Sequence, residues 1–95
     1  MIIEIQFDLH KDYISCPDEV GNKINELQNE FIDWLFDEQN EHKYWMYKDG
    51  KKYGCSYGAE AFIYWLNNIY LNEERVTLVE EYDKIISKVQ KKIGF

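Results

Sequence analysis

Residues 57–71 read YGAEAFIYWLNNIYL, and the fold depends on what this stretch becomes. At 100° per residue, Ala59, Phe62, Leu66 and Ile69 fall together, with Trp65 on one flank and Ile63 and Tyr70 on the other. Glu60, Asn67 and Asn68 form a narrow polar strip, with Tyr64 and Leu71 inside it. A helix that is apolar over most of its circumference is covered on most sides. The stretch is too short to span a bilayer, and two Asn interrupt it. The spacing therefore predicts a buried core helix. It starts near Ser56, whose oxygen can accept from first-turn N–H groups, and ends at Asn72. Gly58 weakens the first turn slightly.

Upstream, residues 42–55 read as a β-hairpin. Asp49-Gly50 lies between two aromatic runs, and a type I′ turn needs φ > 0 at both of its central positions. A two-residue loop sets Lys48 opposite Lys51, Tyr47 opposite Lys52, Met46 opposite Tyr53 and Tyr44 opposite Cys55. Tyr44, Met46, Tyr53 and Cys55 form the expected core face. Trp45 and Tyr47 then form an aromatic pair on the other side, beside Lys43 and Lys52.

Before the hairpin, residues 15–40 are expected to form a long helix. Ser15-x-x-Asp18 resembles a capping box, and Pro17 suits a first turn. Val20, Ile24, Leu27, Phe31, Trp34 and Leu35 recur at steps of three and four and make one apolar stripe. Glu19, Glu26, Glu30, Asp33 and Asp37 lie mainly off it. Asp37 and Glu38 sit at the end where a helix dipole disfavours acids. Ile32 and Phe36 also lie off the stripe. At residues 2–9, Ile3, Ile5, Phe7 and Leu9 alternate with Glu4, Gln6 and Asp8, which predicts a strand with one buried and one wet face. Residues 11–16 read as a connector.

After the central helix, Thr77-x-x-Glu80 resembles a capping box. Leu78, Val79, Tyr82, Ile85, Ile86, Val89 and Ile93 follow at helical spacing, acids come early and lysines late, and Gly94 suits an end. A last helix is expected there, in preference to a short strand over residues 75–79. The fold class is α+β. The expected order is β-α-β-β-α-α, with a small, mainly antiparallel three-stranded sheet covered on one face by three helices. Residues 1–95 contain no repeat and no linker, which suggests one domain.

Composition narrows the function classes. With 45% hydrophobic and 17% aromatic residues, the chain has a core built from large side chains. No leader or anchor pattern is present, so a cytoplasmic protein away from membranes is expected. Cys16 and Cys55 match no CxxC pattern and read as two free thiols, although spacing alone leaves a bridge open. The formal charge is −7, and residues 18–41 alone carry eight acids and one Lys. Such a surface repels nucleic acid and attracts basic partners.

Chemistry-bearing motifs are sparse. The glycines are scattered, and no phosphate loop, nucleophile elbow, zinc helix or EF-hand loop occurs. Asp8, His10 and Asp12 could meet a divalent metal at a strand end, but a solvated edge explains them as well. Cys16 or Cys55 with His10 or His42 could form a nucleophile and base, but no spacing argues for it. No catalytic residue, metal site or cofactor is therefore assigned, and the chain reads as a non-enzyme. The stretch KYWMYKDGKKY at residues 43–53 could stack on bases and neutralise phosphates. The negative charge on either side opposes that reading, and edge-protecting lysines explain the same residues.

Protein binding fits best. The binding residues expected are Glu26, Glu30, Asp33, Phe36, Asp37, Trp45 and Tyr47, set against a basic partner protein. In composition, though in no motif, the chain is similar to small immunity proteins that neutralise nuclease toxins and to phage proteins that block host defence. Self-association through Ile32, Phe36 and spare aromatics is the alternative, with a hairpin-based nucleic-acid binder third.

Overall fold

The alternation at the start of the chain produces β1 (Ile2–Gln6), but the strand stops short of Leu9. Phe7 N–H donates to the carbonyl of His10 at 2.8 Å and closes a tight turn. The chain returns as β2 (Lys11–Ser15), antiparallel to β1, with Ile3 opposite Ile14 and Ile5 opposite Asp12. The residues read as a connector are thus the second arm of a hairpin. Leu9 sits on the turn and is 97% exposed, where a buried position was expected. Glu4 reverses the other way. It is buried on the far side of the sheet, where the Tyr13 hydroxyl donates to its Oε1 at 3.2 Å.

The computed structural model describes residues 1–81 and 86–95, with the backbone alone at Ile86. The expected long first helix is two pieces, α1 (Asp18–Gly21) and α2 (Ile24–Leu35). Ser15 belongs to β2, and no side chain caps the N-terminus of either helix, so the expected capping box does not form. Gly21 is buried against the Met1 side chain: a Cβ there would collide with Met1 Sδ. Beyond it α2 presents Ile24, Leu27, Phe31 and Leu35 to the core.

The hairpin is β3 (Trp45–Lys48) and β4 (Lys51–Cys55), with Asp49 at φ 53° and Gly50 at φ 77°, as a type I′ turn requires. Near the turn the expected register holds, with Lys48 opposite Lys51 and Tyr47 opposite Lys52. A bulge between Met46 and Tyr47 then shifts it, so that Met46 faces Gly54 and Trp45 faces Cys55. The shift turns Tyr53 outward and Trp45 inward, reversing both expectations. The hairpin forms its own two-stranded sheet and does not join β1.

The central stretch becomes α3 (Ala59–Trp65), which widens into a π turn over Leu66–Tyr70. Gly58, not Ser56, precedes its first turn. Phe62, Trp65 and Leu66 are buried as expected. Ile69 is 49% exposed, because the wider turn advances less per residue and carries it off the buried face. Asn67 takes the inner position. Asn72, at φ 57°, ends the helix.

The last helix is replaced by strands. Thr77 and Leu78 form β5 on β2, and β6 (Val89–Gly94) lies parallel to β1 after a 3-10 turn at Ile86–Lys88. The rest of the expected stripe, Tyr82 and Ile85, lies outside the described residues. The main sheet is four-stranded and mixed, in the order β5-β2-β1-β6, in place of a three-stranded antiparallel one. The coarser class, α+β, is what the structure shows. Ile3, Ile5, Phe7, Ile14 and Ile93 of the sheet join one core with Leu27, Phe31, Phe62 and Leu66 of the helices. Among the described residues no helix is long and apolar enough to cross a membrane.

Candidate functional site

Helix α2 buries one side and leaves the other to solvent. Glu26, Glu30 and Asp33 are exposed, and Asp37, just past its end, is exposed too. Steps of four, three and four place them within a sector of about 60°. Their neighbours on the helix surface are one another, and each like-charge pair at this spacing costs roughly 0.2–0.5 kcal/mol. No base occupies the last turn to offset acids near the negative end of the dipole. Among the described residues Glu26, Glu30 and Asp33 enter no ion pair, whereas Glu41 holds Lys52 and Glu19 holds Arg75, each at 2.6 Å. Asp37 Oδ1 accepts a local bond, from Gln39 N–H at 3.0 Å. Aromatic shoulders flank the strip. Trp34 lies on one side, and Phe36, 46% exposed and edge-on to Tyr57, lies on the other.

The end of α2 is also where the hairpin docks. Helix-terminal carbonyls lack helical partners and must find others. The Leu35 carbonyl accepts from His42 Nε2 at 2.8 Å and from the Cys55 thiol at 3.4 Å, and the Trp34 carbonyl accepts from Asn40 Nδ2 at 2.9 Å. His42 Nδ1 accepts from Tyr44 N–H at 3.2 Å, which fixes the tautomer with the proton on Nε2. His42 and Cys55 therefore donate to one oxygen and do not face each other as base and nucleophile.

Comparison with protein-family models, curated proteins and solved structures finds no match.

Of the residues singled out in the sequence, the structure gathers Glu26, Glu30, Asp33, Phe36 and Asp37 along α2. Tyr47 stands apart near the hairpin tip, 55% exposed. Trp45 is not part of an open pair. It is 8% exposed, its indole N–H donates to the Asn40 carbonyl at 2.7 Å, and its ring is stacked on His42 while the Lys52 ammonium lies 4.8 Å from its centroid. Asp8, His10 and Asp12 give one contact, His10 to Asp12 at 3.2 Å. Among the described residues no three His, Cys, Asp or Glu side chains are grouped to hold a metal. A cleft was missed in the sequence. Trp34, Glu41, His42, Lys43, Tyr44 and Tyr64 line a cavity of about 290 Å³. Trp34 had a place in the core stripe and Tyr64 in a polar strip, so no linear pattern joined them.

Both cysteines are free thiols. Burial pushes Cys16, Cys55, Tyr44 and Tyr57 above their ordinary values, and a hydrogen bond to Glu41 raises Lys52. Each group favours its protonated form on folding. The stability this adds is full below the ordinary value of each group and is lost as pH rises through the raised one. Urea midpoints are therefore expected to fall steadily above about pH 9, the thiols leading and the phenols following. A midpoint that stays level up to about pH 11 would contradict the burial of these groups.

Proposed function

We propose that this chain is an acidic protein-binding domain that covers a basic surface of a partner protein, such as a nucleic-acid-processing enzyme or a toxin or defence protein. Immunity and counter-defence proteins work in this way. One observation carries the reading: the strip of Glu26, Glu30, Asp33 and Asp37 is exposed, mutually repulsive and without a described counter-charge on three of its members. A helix bearing such a strip is less stable than one with mixed charges, and a cationic partner surface would relieve the repulsion. Phe36 adds an apolar edge of the kind that interface centres use. The hairpin supports nucleic-acid binding less well, because Trp45 is covered and Lys52 is held by Glu41 and the Glu38 carbonyl.

The test is affinity capture from the native host, followed by titration of the purified partner. The triple variant Glu26→Lys, Glu30→Lys, Asp33→Lys is expected to weaken binding by more than about tenfold, mainly through slower association. Wild-type affinity is expected to fall steeply between about 0.05 M and about 0.5 M salt. An affinity that is flat in salt and indifferent to the triple variant removes the reading. Sedimentation at rising concentration separates it from self-association, which a strict monomer excludes.

A further inference from the structure

We propose that the cleft lined by α2, α3 and the segment before β3 is an aromatic cage for an alkylammonium head group, supplied by a lysine side chain of the partner protein. Three rings and an imidazole define it. Trp34 lies 4.8 Å from His42 and 6.4 Å from Tyr64, and His42 lies 5.5 Å from Tyr44, centroid to centroid. The cavity measures about 290 Å³, and Glu41 stands on its lining. Glu60 adds negative potential at Tyr44, where it helps to raise the phenol. Electron-rich ring faces beside carboxylates attract cations, and a lysine ammonium placed over such a ring is held by the ring quadrupole. The chain already shows this chemistry with its own residue: the Lys43 ammonium lies 5.5 Å from the Tyr44 ring centroid. Lys43 is exposed and tethered only by its flexible stem, so it can be displaced.

The origin of the lysine rests on the reading of a basic partner. The cage itself does not, since it shares no residue with the acidic strip.

The test is an NMR titration of the isotope-labelled protein at fixed ionic strength. The probes are tetramethylammonium chloride, its neutral near-isostere tert-butanol, Nα-acetyl-lysine methylamide and Nα-acetyl-norleucine methylamide. Tetramethylammonium and the lysine amide are expected to shift the Trp34 indole and Tyr64 ring signals saturably, with dissociation constants of order millimolar. The two neutral probes are expected to bind at least about fivefold more weakly. Tyr64→Leu, at a half-exposed position outside the core, should cost about fivefold, and Lys43→Gln should tighten binding by removing the internal competitor. Equal response to charged and neutral probes, or no saturable shift even in Lys43→Gln, overturns the cage. Binding of tetramethylammonium without the lysine amide overturns the lysine source. Because no partner is present, the titration can fail while salt-dependent capture through the strip survives, and the reverse also holds.

Discussion

Phe31→Ala is expected to lower unfolding free energy by about 3–5 kcal/mol, a large share of what a chain of this length has to lose. Phe31 is fully buried, and among the described residues five rings meet it: Phe62 at 5.2 Å, Phe95 at 5.8 Å, Tyr57 at 5.9 Å, Trp65 at 6.0 Å and Trp34 at 6.3 Å. These partners come from α2, α3, the segment between β4 and α3, and the residue after β6. Their backbones are fixed by separate hydrogen-bond systems, so they cannot close the hole together, and a cavity remains. Phe31→Leu keeps most of the volume and should cost less than about 2 kcal/mol. Phe36→Ala, on the exposed side of the same helix, should stay within about 0.5 kcal/mol. Urea titration followed by Trp fluorescence ranks the three. Near-equal losses for Phe31→Ala and Phe36→Ala would mean that the aromatic cluster does not hold the helices together. The ranking also bears on function, because α2 carries the acidic strip on its outer side. A core variant would remove binding by melting the strip, so only surface charge variants test the strip itself.

The elements that local pattern could reveal were those whose burial follows their own period. Ile24, Leu27, Phe31 and Leu35 repeat at helical steps and do face the core. Asp49-Gly50 needs positive φ twice and has it. The errors arose where two periods coincide or where distant chain decides. Val89 and Ile93 are four apart, which places them on one side of a helix and also on one side of a strand. Parallel pairing with β1, some 88 positions away in the Ile2 and Gln90 contact, selected the strand. Leu9 extended a regular alternation, yet the backbone had already turned at Phe7. The strip of the candidate site was legible because exposure on a helix follows from spacing. The cleft was not, because its rings come from three separate segments: the bonds at the end of α2 bring His42 and Tyr44 to Trp34, and Tyr64 reaches them from α3. Trp45 was misassigned because one bulge residue moved it to the other face.

Asn67→Ala is expected to cost about 2–4 kcal/mol, far more than the same change at its neighbour Asn68. In sequence the two residues look alike. The π turn separates them: the Leu71 N–H reaches back to the Leu66 carbonyl at 2.8 Å, five residues away, and Asn67 lies on the buried side of that turn. There it is buried and makes three side-chain hydrogen bonds. Its Nδ2 donates to the Val76 carbonyl at 2.9 Å, and its Oδ1 accepts from Val76 N–H at 2.8 Å and from Arg75 N–H at 3.0 Å. Truncation leaves three backbone groups without partners, two of them deep in the protein, and an unpaired buried group costs about 1–3 kcal/mol. Asn67→Asp does not rescue the site, because a carboxylate would face the Val76 carbonyl with no proton to share. Asn68 makes one exposed bond to the Tyr64 carbonyl and should cost no more than about 0.5 kcal/mol on removal. The loss should also be local at first. Val76 leads directly into β5, whose two residues hold the sheet edge through Ile14 and Ser15. Hydrogen exchange should therefore show the Arg75 and Val76 amides unprotected in Asn67→Ala, with β1 amides still slow to exchange. Indistinguishable stability in Asn67→Ala and Asn68→Ala would place Asn67 outside the core and return the whole stretch to a regular α-helix.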